Sequence, residues 1–480
     1  MRPVSFLLLL TTVMISACQS TDDAENPVSF TPRFEVIGET EDFPVEVPSA
    51  FDSTRGWLVV QENRSDTQSA EISLPVAIIH TDADNPKSPV LYLAGGPGAS
   101  AMRTAAYPGA YPWLEERDFI VIGQRGTHYS TPALMCPEYR KAIEEATDRV
   151  TSVVACKERL ESAGIELENY NSQASASDID DLRVALGIER WNLYGASYGT
   201  RLALVYAKRF GDNVDSMVLD SPLPPNAIYD DQSARNLENA IRAIAQDCAV
   251  QPSCNEAFPD LERRFFQTIE AVSESPLEID ELDTPITAAG LVSLLPLNTS
   301  ADIRRAPLIM DYLARLDPSL NERLTGAPRA TDFAWGMRFS VWCSEALPFS
   351  ERSRMEAPAP VLGGYESAAV SPALCDAWGV KPLEDSVVAP VMSDVPTLIV
   401  AGEFDPLTPP VWGELASKTL PNSLVAVARG DSHSPTQHWG GDGCAMSLAA
   451  EFIRSPERVL SAPKSTHCLF DRKAPDYSLE

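Results

Sequence analysis

Two hydrophobic periods alternate along the chain. Apolar runs of strand character occur at residues 57–60, 72–79, 90–93 and 119–122, bounded by glycine, proline and acidic positions. Residues 174–186 then carry helical spacing, with Ile179, Leu182 and Leu186 on one face. A short strand is predicted at 191–194, a helix over 201–210 that stops at Gly211, and another strand at 216–219. From about residue 226 to 383 the pattern turns mainly helical, as at 234–245 and 261–272, and strand signals return at 397–401 and 423–427. Strand–helix alternation, a helical interruption and a return to alternation predict an α/β class. The expected architecture is a mostly parallel central sheet with helices on both faces and an inserted, mainly helical cap. The expected division is 46–225 for the first part of the core, 226–383 for the cap and 384–480 for the rest of the core.

Composition narrows the class of partner. The 480 residues are 44% apolar and 22% charged, enough to bury a real core, and the net charge of −30 sets the surface against phosphate backbones. No nucleic acid is expected as a partner.

The N-terminus reads as a targeting segment. Arg2 precedes a short apolar run, Phe6 to Ile15, and then Ile15-Ser16-Ala17-Cys18. Small residues before a cysteine resemble a bacterial lipobox, with 1–18 as signal peptide, Cys18 as the acylated residue and 19–45 as a polar, acidic tether. Gln19, with no aspartate in its place, resembles outer-membrane sorting, so a lipid bilayer is an expected partner. An ordinary cleaved signal is the alternative.

Eight further cysteines form an even set, which in an exported chain suggests disulfides. Spacing alone leaves the connectivity open. Pairing of neighbours (Cys136 with Cys156, Cys248 with Cys254, Cys343 with Cys375, Cys444 with Cys468) closes the shortest loops and is the expected set. There is no CxxC motif and the five histidines do not cluster with cysteines, so neither a metal nor a cofactor is expected.

The candidate chemistry centres on Gly195-Ala196-Ser197-Tyr198-Gly199. A predicted strand runs into this string and a predicted helix runs out of it. So sharp a turn would lift the Ser197 hydroxyl clear of the sheet and set it at a helix N-terminus, where partial positive charge favours an oxyanion. A serine hydroxyl needs a base. Asp405, in an acidic loop after the strand at 397–401, is the candidate acid, with Glu403 as competitor. His433, after the last strand, is the candidate base, with His438 as alternative; His80 and His128 precede the serine, and His467 lies near the chain end. The expected oxyanion donors are the backbone N–H groups of Tyr198 and of Gly96, in the loop Gly95-Gly96-Pro97-Gly98, where Pro97 has none to give.

These residues resemble the tripeptidyl aminopeptidase and prolyl iminopeptidase branch of the α/β-hydrolase superfamily. The marks are Gly95 to Gly98, Gln124-Arg125-Gly126-Thr127, the run from Asp178 through the Ser197 elbow to Val218-Leu219-Asp220, and Gly402 to Pro409 with Gly430 to His433. Two positions depart from the pattern: Ala94 stands before the glycines, and Gly123 stands where an aspartate is expected. The resemblance implies a serine aminopeptidase that takes peptides with a free N-terminus. Trp342-Cys343-Ser344-Glu345 resembles an acid-bearing cap segment, which makes Glu345 the expected ammonium binder. An esterase using the same three residues, and a binding protein on an inactive hydrolase scaffold, are the rival readings. Oligomeric state is left open.

Overall fold

The structure, a computed structural model, describes residues 30–38, 41–145, 147–278, 285–317, 332–351, 362, 363, 365, 370–437, 443–462, 467–471 and 473–480. The leader with Cys18, and His438, lie outside these.

Among the described residues nine strands form one sheet: β1 Arg33–Val36, β2 Ser53–Gln61, β3 Glu71–Ile79, β4 Lys87–Leu93, β5 Arg117–Ile122, β6 Trp191–Ala196, β7 Val214–Asp220, β8 Thr397–Gly402 and β9 Ser423–Ala428. Their order is β1-β2-β3-β5-β4-β6-β7-β8-β9. The pairs from β1 to β3, and β3 with β5, are antiparallel; every later pair is parallel. The parallel strands are buried on both faces, which is why they read as continuous apolar runs. Alternation sorts their side chains: Leu91, Leu193 and Met217 enter one core, while Val90, Tyr194 and Val218 enter the other.

β1 was not anticipated. It lies in the stretch read as a tether, so the tether gives way to folded chain by Arg33. Three of its four residues are exposed and it sits at the sheet edge, so no apolar run marked it in the sequence.

The segment 226–383 divides between two cores. Helices Tyr229–Val250, Leu261–Glu274 and Ser300–Arg315 build a separate cluster around Ile241, Phe265 and Ile309. Helix Trp335–Glu345 instead sends Met337, Phe339 and Val341 into the core packed against the sheet. Nine of its eleven residues are buried, so it is a core helix within a cap segment.

All four neighbour disulfides are present, with Cα–Cα separations of 5.2–5.7 Å. Among the described residues no helix is long and apolar enough to cross a membrane.

Arg125 shows what one resemblance motif does. Its side chain is fully buried and forms a two-pronged pair with Asp178 (2.7 Å on each prong), with further bonds to the Glu62 and Asn169 carbonyls. The motif is a structural clasp between the end of β5 and helix Ser172–Ala185. Gly123 has a steric explanation too. A Cβ there would lie 2.7 Å from Pro75 Cγ, so the aspartate of the resembling pattern does not fit beside this proline.

Candidate active site

β6 runs directly into helix Tyr198–Phe210, and the residue between them is Ser197, at φ 56° and ψ −123°. The turn leaves no room for side chains on either flank: a Cβ on Gly195 would lie 2.5 Å from Gly199 O, and one on Gly199 would lie 2.0 Å from Leu93 O. The strained φ is held by bonds on both sides. Ser197 N–H donates to Asp220 O (2.8 Å), and Thr200 N–H and hydroxyl both donate to Ser197 O (2.9 and 2.6 Å). Tyr198 opens the helix, so its N–H has no partner within the helix and is free to bind an oxyanion.

The glycine loop after β4 lies against the elbow. A Cβ on Gly95 would meet Ser197 Cβ at 2.9 Å, and Gly96 has φ +114°. Two anchors fix the loop: Gln124 Nε2 donates to Ala94 O from the body (3.0 Å), and Ala334 N–H donates to Gly98 O from the start of the long buried helix (2.9 Å). Arg338, on that helix, donates to Gly96 O as well, and its guanidinium stacks over Trp342 at 4.2 Å.

The acid and the imidazole meet. Asp405 Oδ2 lies 2.8 Å from His433 Nδ1. The carboxylate is buried and also accepts from Ser221 Oγ, Thr408 Oγ1 and the N–H groups of Leu407 and Thr408 (2.8–3.0 Å). Burial would raise its pKa, but the His433 charge and hydrogen bond, with the Thr408 bonds, outweigh this and hold it below the ordinary carboxylate value. For His433, burial pushes the pKa down, and the Asp405 charge and hydrogen bond, with a smaller contribution from Asp220, lift it above the ordinary value. Among the described residues the ring's bonds run from Nδ1 to Asp405 and Thr408, and none joins it to Ser197 Oγ. Such a bond is often long until substrate binds.

The competing residues lie elsewhere. Glu403 accepts from Gly430 N–H (2.8 Å) and shapes the turn before His433. His80 bonds Thr54 and Asp118 at the sheet's antiparallel end, His128 stacks on Tyr129, and His467 adjoins Cys468.

Glu345 is not free for an ammonium group. Its side chain is buried, Oε1 accepts from Ser172 N–H (2.8 Å), and Oε2 pairs with Arg201 Nε (3.4 Å). Arg201 returns a bond to Glu345 O (2.7 Å). In this arrangement Glu345 braces the long buried helix against the helix that follows Ser197. The same helix carries a second polar anchor at Trp342. Trp342 Nε1 donates to both oxygens of Asp230 (3.1 and 3.0 Å), a carboxylate that sequence reasoning missed. Asp230 sits in the first turn of helix Tyr229–Val250, and burial pushes its pKa up to about 6, against the Trp342 bond. An acid beside an aspartate-rich helix start carries no sequence mark of its own.

Residues 88–276 match the family described as alpha/beta hydrolase fold, and residues 360–462 match the family described as TAP-like protein. The chain belongs to the α/β-hydrolase superfamily. Within it, similarity runs to serine protease Hip1 of Mycobacterium tuberculosis (strain ATCC 25618 / H37Rv), 24% identical over 413 residues, covering 75% of this chain and 77% of that one. Tripeptidyl aminopeptidase of Streptomyces lividans is 31% identical over 158 residues, 28% of this chain and 29% of its own. Proline iminopeptidase of Xylella fastidiosa (strain 9a5c) is 30% identical over 134 residues, 27% and 31% respectively. This α/β-hydrolase is thus similar to peptidase-named relatives, among them tripeptidyl and prolyl enzymes over part of their length.

Proposed function

We propose that this protein is a serine aminopeptidase that acts on short peptides with a free N-terminus. The observation that carries the reading is the buried Asp405–His433 pair, 2.8 Å apart, on the loops after β8 and β9, with the elbow serine at the end of β6 in the same sheet. On this reading Ser197 Oγ attacks the scissile carbonyl while His433 Nε2 accepts its proton. The N–H groups of Tyr198 and Gly96 receive the oxyanion. His433 then protonates the leaving amine, and water, deprotonated by His433, releases the acyl group from Ser197. Asp405 orients the imidazole and stabilises its charged form. The names of the relatives, a serine protease and two aminopeptidases, support peptides over other acyl compounds.

Asp230 is the carboxylate suited to the substrate ammonium. It is half-buried, it is held by Trp342, and Trp342 connects through the stacked Arg338 to Gly96 of the oxyanion loop. A substrate cation beside it would favour the charged carboxylate that burial disfavours. The test compares kcat/KM on aminoacyl and tripeptidyl arylamides, their N-acetylated forms and small acyl esters, with Ser197→Ala as control. Cleavage of free arylamides at least tenfold above acetylated ones is expected; equal rates, or preference for the esters, would reject the aminopeptidase reading.

Cys18 belongs to the same proposal as the site of acylation that holds the enzyme on a bilayer, at the bacterial outer membrane. Labelled palmitate should enter the wild-type chain and not Cys18→Ala, which should leave the membrane fraction.

A further inference from the structure

Asp220 and Ser221, the last residue of β7 and the next, touch all three segments of the candidate triad. Asp220 O accepts from Ser197 N–H (2.8 Å). Ser221 Oγ donates to Asp405 Oδ2 (2.9 Å) and accepts from Ser434 N–H (2.8 Å), the residue after His433. Ser221 is held at φ 59° with its N–H on Val400 O (2.7 Å), and Ser434 is at φ 56°. Asp220 Oδ2 then accepts from the hydroxyl and the N–H of Thr436 (3.3 Å for the latter), whose Oγ1 is 2.6 Å from the hydroxyl of Tyr194 on β6. Asp220 Oδ1 is buried with no hydrogen-bond partner among the described residues. An unsatisfied carboxylate oxygen beneath an active-site loop is costly, and the mechanism above makes no use of it.

We propose that Asp220 and Ser221 are positioning residues that lock the His433 loop to the elbow of Ser197. The loop from His433 to Thr436 is fastened at two points, Ser434 N–H and Thr436, both to this dipeptide. One bond thus separates the backbone of Ser197 from the residue that fixes the opposite side of the triad. The groups facing Asp220 are His433 and Asp405 on the adjacent loops and the hydroxyls of Tyr92 and Tyr194 on β4 and β6. Of these only His433 bears positive charge. Burial pushes the Asp220 carboxyl up to about 7, the Thr436 bonds and the His433 charge opposing this. Its charge therefore changes over the pH range in which the imidazole works.

The inference rests on the triad reading and not on the substrate, so the test uses a fluorophosphonate probe on the full chain. The rate of Ser197 labelling is followed against pH in wild type, Asp220→Asn, Thr436→Val and Thr436→Ser. Asparagine keeps an oxygen for Thr436 and loses the charge. Its labelling should slow about tenfold, and its acid limb should move down by about half a pH unit or more, because a group that raises the His433 pKa is gone. Thr436→Val should slow labelling, and Thr436→Ser should restore it. A wild-type protein that labels, with Asp220→Asn and Thr436→Val keeping its rate and acid limb, overturns this inference and leaves the triad standing. A wild-type protein that does not label at Ser197 overturns both.

Discussion

Asp405 Oδ2 lies 2.8 Å from His433 Nδ1, and four further donors surround the same carboxylate. An acid so well satisfied stays ionised, and its charge lifts the imidazole pKa against the effect of burial. A base works in its neutral form, so hydrolysis should fall as pH drops through a His433 pKa above the ordinary value of about 6.5. Asp405→Asn should leave KM nearly unchanged and lower kcat by about 10³- to 10⁴-fold. A pH–rate profile and steady-state kinetics check both; an acid limb below the ordinary value would contradict the assignment.

The Arg201–Glu345 pair predicts a stability effect in place of a binding one. Both side chains are almost fully buried. Glu345→Ala strands the guanidinium and should cost about 3–5 kcal/mol. Denaturant titration reads this directly. The ratio of rates on free and acetylated substrates should be kept in the surviving folded fraction, and its loss would return Glu345 to the ammonium site.

Asp230→Asn should act the other way. It keeps an acceptor for Trp342 and removes the charge, so the fold should be kept. KM for free-amine substrates should rise about tenfold or more, with rates on acetylated substrates unchanged.

Gly123→Asp would restore the residue seen in the resembling pattern. With Pro75 Cγ 2.7 Å from the new Cβ, it should destabilise the protein by about 1–3 kcal/mol. Pairing it with Pro75→Ala should recover part of the loss, and thermal unfolding of the single and double variants tests the clash.

The Cys343–Cys375 bridge, with a sequence separation of 32, ties the long buried helix to helix Pro372–Trp378. Chain entropy assigns such a loop about 3–4 kcal/mol. Replacing both cysteines by serine should lower the unfolding midpoint accordingly, more than removal of the short Cys248–Cys254 bridge, with a sequence separation of 6.

Parallel strands and the sharp turn at Ser197 were legible because burial on both faces forces continuous apolar runs, and because that turn needs glycine on each side. Local pattern also placed Asp405 and His433, each following a clear strand. What escaped was whatever depends on chains meeting from afar. β1 is an exposed edge with no periodic mark. Glu345 looked like a free acid because its partner, Arg201, lies 144 positions away. Asp220 read as a strand end, and nothing local shows that Thr436 returns to it from 216 positions on.

The strand order has a consequence for synthesis. β8 and β9, followed by the loops of Asp405 and His433, come last in the chain and lie at the far edge of the sheet, beyond β7. Until they arrive, the elbow serine has no His433 beside it, the dipeptide at the end of β7 has no loop to hold, and β7 shows an open edge. On the proposed reading, a partly synthesised chain cannot cut the peptides around it; activity switches on when the last hundred or so residues fold into place.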